Sequence, residues 1–212
     1  MTYPIRELVL ASSNAGKLIE LQNLLADFSL RVHAQGALGI DAADEPFPSF
    51  VENALMKARR ACSKANRPAL ADDSGICIDA LNHKPGVHSA RWSEIHGGTT
   101  GDSANNLLVN QQLAGQSSSA FFVCALVLLR SPDDPVPIIA VAQWHGHWIC
   151  HPRGEGGFGY DPHFVPSGSQ ITAAQMSLSQ KNELSHRATA MRLLLSKMIC
   201  QGLLARKQAS SD

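Results

Sequence analysis

The sequence predicts an α/β fold, in which strands alternate with helices. Short apolar runs of strand length are interleaved along the chain with segments whose apolar residues recur at helical spacing. Hydrophobic residues make up 44% of the 212 residues and charged residues 17%, so the chain can build a core. Because no internal repeat or linker is visible, we expect one domain over residues 1–212, with a flexible tail at 205–212.

The first half of the chain predicts a strand, a loop of small residues and a helix, followed by further strands and a second helix. Ser49, with Glu52 three residues later, matches a capping box, and we expect the helix that it begins to end before Pro68. The predicted elements are a strand at Leu8–Ala11, a loop at Ser12–Gly16, a helix from Lys17 containing Leu18, Leu21, Leu24 and Leu25, a strand at Arg31–Ala34, a helix from Ser49 and a strand at Ala69–Ala71.

The second half predicts two long strands between helices. The β-rich runs flank a loop containing two prolines and two aspartates, which indicates a hairpin. The predicted elements are a turn at Lys84–Gly86, a helix at Ser103–Leu113, strands at Phe121–Arg130 and Val136–Cys150, a glycine-rich loop at Gly154–Gly159 and a last helix capped by Ser185.

Charge and cysteine usage exclude several classes of protein. Eighteen Lys and Arg balance eighteen Asp and Glu, which argues against a partner that is a nucleic acid polymer or an anionic membrane. Five cysteines without a CxxC pair predict neither a disulfide framework nor a zinc site. The longest apolar run, Phe121–Leu129, is too short to cross a bilayer, and no signal peptide is visible at the N-terminus. We therefore expect a cytoplasmic protein with no membrane partner.

The first candidate site is the loop before the first helix, formed by Ser12, Ser13, Asn14, Ala15, Gly16 and Lys17. Backbone N–H groups at a helix N-terminus bind phosphate oxygens, and Lys17 adds a full positive charge. Asn14 tolerates the left-handed backbone that an anion-binding nest needs. The loop is not a Walker A motif, and an ordinary turn between strand and helix is the alternative.

The second candidate site is formed by Asp72, Asp73, Ser74 and Gly75. Adjacent acids at the end of a buried strand are costly unless something compensates their charge. Because neighbouring strand residues point to opposite sides, one acid can hold Mg²⁺ or deprotonate water while the other fixes the loop. The alternative is a turn rich in Asp, Ser and Gly.

Two later segments carry donors and an aromatic ring. Glycines around Phe158 would let a flat base stack on its ring, although the loop could equally cover the edge of the core. Lys181, His186 and Arg187 can donate hydrogen bonds to ring carbonyls or phosphates, the alternative being ordinary surface charge. Alternation also places His145 and His147 on one strand face, but without a nearby carboxylate we favour ordinary strand histidines over a metal site.

In their order along the chain, these segments resemble the inosine triphosphate pyrophosphatase family. The motifs that carry the resemblance are Ser13–Lys17, Phe50–Ala54, Ala71–Gly75, Pro85–Arg91, Gly157–Pro162 and Ser185–Arg187, which together span the chain from Leu8 to about Met198. The resemblance implies an elongated mixed β-sheet flanked by helices, with two lobes around a central nucleotide-binding cleft, usually in a homodimer. It also implies Mg²⁺-dependent hydrolysis of the purine nucleoside triphosphates ITP, dITP and XTP to the monophosphate and pyrophosphate.

The same resemblance implies roles for individual residues. Ser12–Lys17 would hold phosphates, Asp73 would be general base and metal ligand, and Ser74 would contact substrate. The residues expected around the nucleotide are Phe158, Gly159, Tyr160, Asp161, Lys181, His186 and Arg187.

Two departures from the family pattern stand out. The family often has Thr-Gly-Asn where this chain has Ser12-Ser13-Asn14, so the loop backbone must be compatible with serine. A further metal ligand falls on Asp44, which aligns best, or on Glu45.

Two other functions stay open at this point: a non-catalytic nucleotide-binding module, and a pyrophosphatase for modified pyrimidine nucleotides. The preferred base among ITP, dITP and XTP is also open.

Overall fold

The computed structural model describes residues 4–205 and contains a mixed, seven-stranded β-sheet flanked by helices. The strands are β1 (Glu7–Ala11), β2 (Arg31–Ala34), β3 (Ala69–Ile78), β4 (Lys84–Pro85), β5 (Ser118–Leu129), β6 (Ile138–Trp148) and β7 (Phe164–Pro166). The helices are α1 (Ala15–Leu25), α2 (Phe50–Ala65), α3 (Asp102–Gln112), α4 (Leu178–Leu184) and α5 (His186–Cys200), with short 3₁₀ helices between them. The predicted α/β class is confirmed.

The strand order in the sheet is β2-β1-β3-β5-β6-β7, with β4 paired to β3. β1 runs parallel to both β2 and β3, with Val9 opposite His33 and Ala69. α1 thus forms the crossover between the parallel strands β1 and β2, as a βαβ unit requires. β4 and β7 are antiparallel to their neighbours, which makes the sheet mixed.

The chain divides into two compact units. Unit 1 contains the chain up to Asp73, Ala125–Val141 and the chain from Arg187 on, and unit 2 contains Ser74–Cys124 and Ala142–His186. The strands β3, β5 and β6 each contribute residues to both units. The prediction of a single domain over residues 1–212 stays a prediction.

Each unit has its own apolar cluster. In unit 1, Ala54, Ala58 and Ala61 line one face of α2, are fully buried and lie with the apolar side chains of β1 and β3. In unit 2, the cluster is aromatic and includes the buried rings of Trp148 and Phe164. The methyl side chains of α2 allow a close approach to the sheet, which positions the polar residues at the first turns of that helix.

Most element bounds agree with the sequence predictions to within a few residues, and β5 and β6 are sheet neighbours as expected. The prediction that the strand ends at Ala71 is wrong, because β3 continues to Ile78 and holds both acids in its interior. The predicted turn at Lys84–Gly86 is instead β4 followed by a 3₁₀ helix. Most of the predicted tail, residues 206–212, lies outside the described residues. No helix among residues 4–205 is both long and apolar enough for a membrane span.

Candidate functional site

The loop between β1 and α1 is held by Asn14, which caps the helix. The Asn14 side chain accepts a hydrogen bond from the Lys17 N–H at 3.0 Å, and the Asn14 N–H donates to Ser12 Oγ at 3.3 Å. Asn14 has φ −81°, so the expected left-handed conformation is wrong: an N-cap residue takes an extended backbone. Neither Ser12 nor Ser13 has a positive φ, which explains why the loop needs no glycine there. Ser13, Asn14 and Ala15 are exposed, so the N-terminus of α1 is accessible to an anion.

The side chain of Lys17, in the first turn of α1, takes part in a network of charged side chains that are mostly buried. Its Nζ is 2.7 Å from Asp72 Oδ1, and Arg187 Nε approaches Asp72 Oδ2 at 3.4 Å. Arg187 also contacts the buried carboxylate of Glu20. Burial alone would raise the pKa of Asp72, but Lys17 and Arg187 outweigh it and hold that pKa well below its usual range. Asp72 is thus a permanent anion that fixes the two cations.

Asp73 has different neighbours, because Asn53 and Lys57 of α2 lie next to it. Lys57 Nζ donates to Asp73 Oδ1 at 2.8 Å and to Glu45 Oε1 at 2.9 Å. Asn53 Nδ2, four residues earlier on the same helix face, donates to Asp73 Oδ2 at 3.4 Å. Asn53 also bonds both the N–H and the C=O of Phe47, which fixes the loop that carries Glu45. Two carboxylates therefore share one ammonium group.

The protonation of this cluster follows from its burial. Burial raises the pKa of Asp73 to about 6, and the nearby Glu45 carboxylate adds to the rise against the opposing effect of Lys57. Burial would lower the pKa of Lys57, but Asp73 and Glu45 outweigh it, so Lys57 stays charged. A carboxylate with a pKa near neutrality can accept and release a proton under physiological conditions.

The residues around Asp73 fit a magnesium site. Mg²⁺ is commonly bound through one or two carboxylates together with substrate phosphates, and Asp73 and Glu45 already converge on one cation, the Lys57 ammonium group. This geometry favours Glu45 over Asp44, whose side chain is exposed. Within residues 4–205, no group of three or more His, Cys, Asp or Glu could hold a metal.

In unit 2, the glycine-rich loop holds Phe158 through Asp161 and Lys181. Asp161 Oδ2 accepts from the Phe158 N–H at 2.9 Å and from Lys181 Nζ at 2.7 Å. The same Nζ lies 4.6 Å from the centre of the Phe158 ring, a cation–π arrangement. Asp161 and Lys181 are buried, whereas the Phe158 ring is partly exposed. The loop thus presents an aromatic ring whose position is fixed by an ion pair.

Tyr160 and His186 belong to the packed interior of unit 2. The Tyr160 hydroxyl donates to the Ser89 carbonyl at 2.7 Å, and burial raises the pKa of that phenol. The His186 ring stacks on Phe122 with a centroid distance of 4.7 Å and an angle of 7° between the planes. Both side chains are about 5% exposed or less, so their immediate role is to fix this part of the unit.

The structure brings the predicted site residues together in two groups. In unit 1, ion pairs connect Asp72 to Lys17 and Arg187, and a separate ion pair joins the neighbouring Asp73 to Lys57. In unit 2, Phe158, Gly159, Tyr160 and Asp161 lie in one loop, and Lys181 forms an ion pair with Asp161. Ser74 is the first residue of unit 2 on β3, directly after Asp73. Arg187 contacts Glu20 and Asp72 in unit 1, and its place beside the nucleotide stays a prediction.

Sequence reasoning missed the roles of Lys57 and Glu20. The spacing of Asn53 and Lys57 places the buried Asn53 and the partly buried Lys57 one turn apart on the same helix face, a signal that the capping box does not explain. Nothing in the sequence indicates that Glu20 is buried, because an acidic residue next to the apolar Leu21 is ordinary in an amphipathic helix.

Comparison with known proteins finds relatives that match nearly the whole chain. The chain is 52% identical to a dITP/XTP pyrophosphatase of Ralstonia nicotianae over 195 residues, covering 92% of this chain and 97% of the relative. It is 50% identical to a dITP/XTP pyrophosphatase of Neisseria meningitidis serogroup B over 193 residues, covering 91% and 96%. Among solved structures, a HAM1 protein from Coxiella burnetii superposes with a TM-score of 0.83 at 39% identity, covering 93% of this chain and all of that one.

The Ham1 protein of Staphylococcus aureus superposes with a TM-score of 0.79 at 31% identity, covering 92% and 99%. The sequence matches the Ham1 family over residues 8–197, which includes every candidate site residue named above. The fold, the ordered motifs and these similarities lead to one conclusion: the chain belongs to the Ham1 family.

Proposed function

We propose that this protein hydrolyses the purine nucleoside triphosphates ITP, dITP and XTP to the monophosphate and pyrophosphate, with Mg²⁺ as cofactor. The observation that carries the proposal is the cluster in which Lys57 joins Asp73 to Glu45, next to the Asp72–Lys17 pair. Such a cluster combines a proton acceptor, two metal-binding carboxylates and a phosphate-binding cation. The names of the relatives from Ralstonia nicotianae and Neisseria meningitidis point to the same substrates.

The reaction assigned to the site is attack of water on the phosphoanhydride between the α and β phosphates. A triphosphate carries about four negative charges, and bound Mg²⁺, held by Asp73 and Glu45, would neutralise part of that charge. Lys17 and the first-turn amides of α1 bind phosphate oxygens and orient the chain of phosphates. Asp73, whose carboxylate lies beside the Lys57 ammonium group, accepts the proton of the attacking water. Pyrophosphate then leaves from the α phosphate.

The base is proposed to stack on Phe158, whose ring is fixed by Asp161 and Lys181. Hydrogen-bond donors favour the 6-oxo group of hypoxanthine and xanthine and disfavour the 6-amino group of adenine. His186 and Arg187 stay the proposed donors. For Arg187 this role includes exchanging its contact with Glu20 for one with the base.

A substrate panel tests the proposal. Pyrophosphate release is measured from ITP, dITP, XTP, GTP, ATP and a modified pyrimidine triphosphate, with Mg²⁺ and again with excess EDTA. We expect the highest kcat/KM for the first three nucleotides, loss of activity with EDTA and recovery on adding Mg²⁺. Binding of ITP without pyrophosphate release would identify a non-catalytic module, and a preference for ATP, GTP or the pyrimidine would contradict the proposed specificity.

We further propose a homodimer in the cytoplasm, as the family resemblance implies. Light scattering of the purified protein at several concentrations measures the oligomeric state. A mass equal to one chain of 22.7 kDa at all concentrations would contradict the dimer.

A further inference from the structure

Two side chains of α3 bind the backbone of the loop that carries Phe158. Asp102 Oδ2 accepts the Gly159 N–H at 2.6 Å, and Asn106 Nδ2 donates to the Gly159 C=O at 3.0 Å. The two residues are four positions apart on one helix, so they lie on the same face, one turn apart. The backbone N–H and C=O of Gly159 are thus both hydrogen-bonded by side chains that lie one turn apart on α3.

Gly159 adopts a backbone conformation that these two hydrogen bonds help to hold. Its φ is +64°, a left-handed value that glycine adopts readily, and a Cβ at this position would meet no atom within 4 Å. Conformation, and not lack of space, is therefore the reason for glycine at this position. Because glycine populates many backbone states, a loop with glycine at this point is ordered only if its polar groups are fixed from outside.

The neighbours of Gly159 are the residues whose orientation depends on it. Phe158 precedes it and is also held through its own N–H by Asp161, while Tyr160 follows it and is anchored through its hydroxyl to Ser89. Rotation of the backbone at Gly159 would turn the Phe158 ring relative to Lys181 and the rest of unit 2. Among these contacts, the hydrogen bonds from Asp102 and Asn106 are the ones that restrain both the N–H and the C=O of Gly159.

We infer that Asp102 and Asn106 are positioning residues that orient Phe158 for stacking on the substrate base. The inference rests on the proposed function, because it gives these residues a role in binding the purine. They do not touch the phosphates or the attacking water. Stacking contributes equally to the ground state and the transition state of phosphoanhydride hydrolysis, so its weakening raises KM and leaves kcat unchanged. Since every purine has an aromatic face, the rise is the same for ITP, XTP and GTP.

The experiment compares Asp102→Ala, Asp102→Asn, Asn106→Ala and a matched control, Asn110→Ala. Asn110 lies on the same helix, donates to the Cys150 carbonyl at 2.9 Å and accepts from Trp148 Nε1 at 2.9 Å, so its loss tests the stability of unit 2 without removing a hydrogen bond to Gly159. We expect KM for ITP to rise about tenfold in Asp102→Ala, through loss of a charge-assisted hydrogen bond, and kcat to stay within about twofold. Asp102→Asn, which keeps an acceptor oxygen, recovers most of the wild-type KM, and Asn110→Ala lowers the melting temperature with KM unchanged.

Hydrogen–deuterium exchange of the ligand-free proteins tests the same contacts without substrate. A peptide containing Phe158–Asp161 is expected to exchange faster in Asp102→Ala and Asn106→Ala than in wild type and in Asn110→Ala. Unchanged exchange, or unchanged KM in an enzyme whose wild type releases pyrophosphate, overturns the positioning role. A KM rise confined to one base also overturns it. A wild type that releases no pyrophosphate from any triphosphate overturns the proposed function, whereas the exchange result still decides whether Asp102 and Asn106 hold the loop.

Discussion

Asp72 and Asp73 are adjacent on β3 but are bound by different cations. Asp72 is held ionised by Lys17 and Arg187, and its pKa lies well below the usual range despite complete burial. Asp73 shares Lys57 with Glu45, and burial raises its pKa to about 6. Two identical side chains therefore differ in their pKa, one lowered and one raised, through their neighbours alone.

Asp73→Asn tests the proton-acceptor role. The amide keeps the shape of the carboxyl group but cannot accept the proton of water, so kcat for ITP should fall about 10²–10⁴-fold. Nucleotide binding, measured by calorimetry without Mg²⁺ because Asp73 is also a proposed metal ligand, should stay within a few-fold of wild type, and thermal melts check that the fold is kept. Near-normal kcat would rule out Asp73 as the general base.

Glu45→Gln, compared with Asp44→Asn, tests which acid is the second metal ligand. Glu45 shares Lys57 with Asp73, whereas Asp44 is exposed. We expect the Mg²⁺ concentration for half-maximal activity to rise about tenfold or more in Glu45→Gln, since loss of one anionic ligand weakens a magnesium site. Asp44→Asn should behave like wild type, and the opposite pattern would assign the ligand to Asp44.

At the scale of whole elements, α2 places Asn53 and Lys57 beside Asp73 because its N-terminus is fixed by Ser49. The Ser49 hydroxyl oxygen accepts the Glu52 N–H at 3.3 Å and donates to Glu52 Oε2 at 2.6 Å. Ser49 is therefore confirmed as the N-cap, whereas the Glu52 carboxylate accepts from the Ser49 hydroxyl and the predicted capping box is not completed. The helix then packs its alanine face on the sheet, so its first turns have a defined direction.

Ser49→Ala is expected to lower the free energy of unfolding by about 1 kcal/mol, the typical effect of losing an N-cap side chain. Urea unfolding followed by circular dichroism measures the change. The control is Ser117→Ala, at an exposed loop position, which should have no comparable effect. Equal stabilities of the two variants would mean that the cap contributes little to the fold.

The loop between β5 and β6 gives a prediction about pH. Asp134, whose side chain is 2% exposed, accepts hydrogen bonds from Arg130 Nε at 2.7 Å and from the Val136 N–H at 3.0 Å, and the Arg130 guanidinium lowers the pKa of Asp134 to about 2. Because this pKa is lower in the folded than in the unfolded state, the stabilisation is present above about pH 4 and disappears as the pH falls towards 2.

Asp134→Asn should therefore lower the free energy of unfolding by about 2 kcal/mol at pH 7. The difference from wild type should shrink as the pH falls from 5 to 3, which urea titrations at each pH will measure. A difference that stays constant over this range would exclude ionisation of Asp134 as its source.

Local patterns predicted the elements better than they predicted the site. Helix and strand bounds follow from periodicity and caps, which depend on neighbours in sequence, as at Ser49 and Arg31–Ala34. The composition of Asp72–Gly75 suggested a turn, yet pairing with neighbouring strands keeps these residues in β3. The contact of Arg187 with Glu20 joins residues far apart in sequence and depends on packing, so no local pattern could indicate it.

At the scale of the whole molecule, each unit contains one part of the proposed chemistry. Lys17, Asp73 and Glu45, proposed to bind phosphate and metal, belong to unit 1, and Phe158, Asp161 and Lys181, proposed to lie near the base, belong to unit 2. Ligands that carry only phosphates should therefore depend on the first group and not on the second.

Pyrophosphate with Mg²⁺ is expected to stabilise the folded protein through binding to unit 1. At a ligand concentration of about 100 times Kd the gain is about 2.7 kcal/mol, which corresponds to a rise in Tm of roughly 5–10 °C. Lys17→Ala should lose most of this ligand-induced rise, while Lys181→Ala should keep it. The comparison uses the difference in Tm with and without ligand, so a lower starting Tm in either variant does not affect it. Equal loss in both variants would contradict the assignment of Lys17 to the phosphates.

The alternation of side chains along β3 also limits how the length of this strand can change in evolution. Deleting or inserting one residue between Ala69 and Asp72 would reverse the sides on which the two acids lie. Asp72 would then face Lys57, and Asp73 would face Lys17 and Arg187. Loops elsewhere in the chain can gain or lose residues without such an exchange. We therefore expect members of this family to vary in loop length but to keep the number of residues between the start of β3 and its paired aspartates.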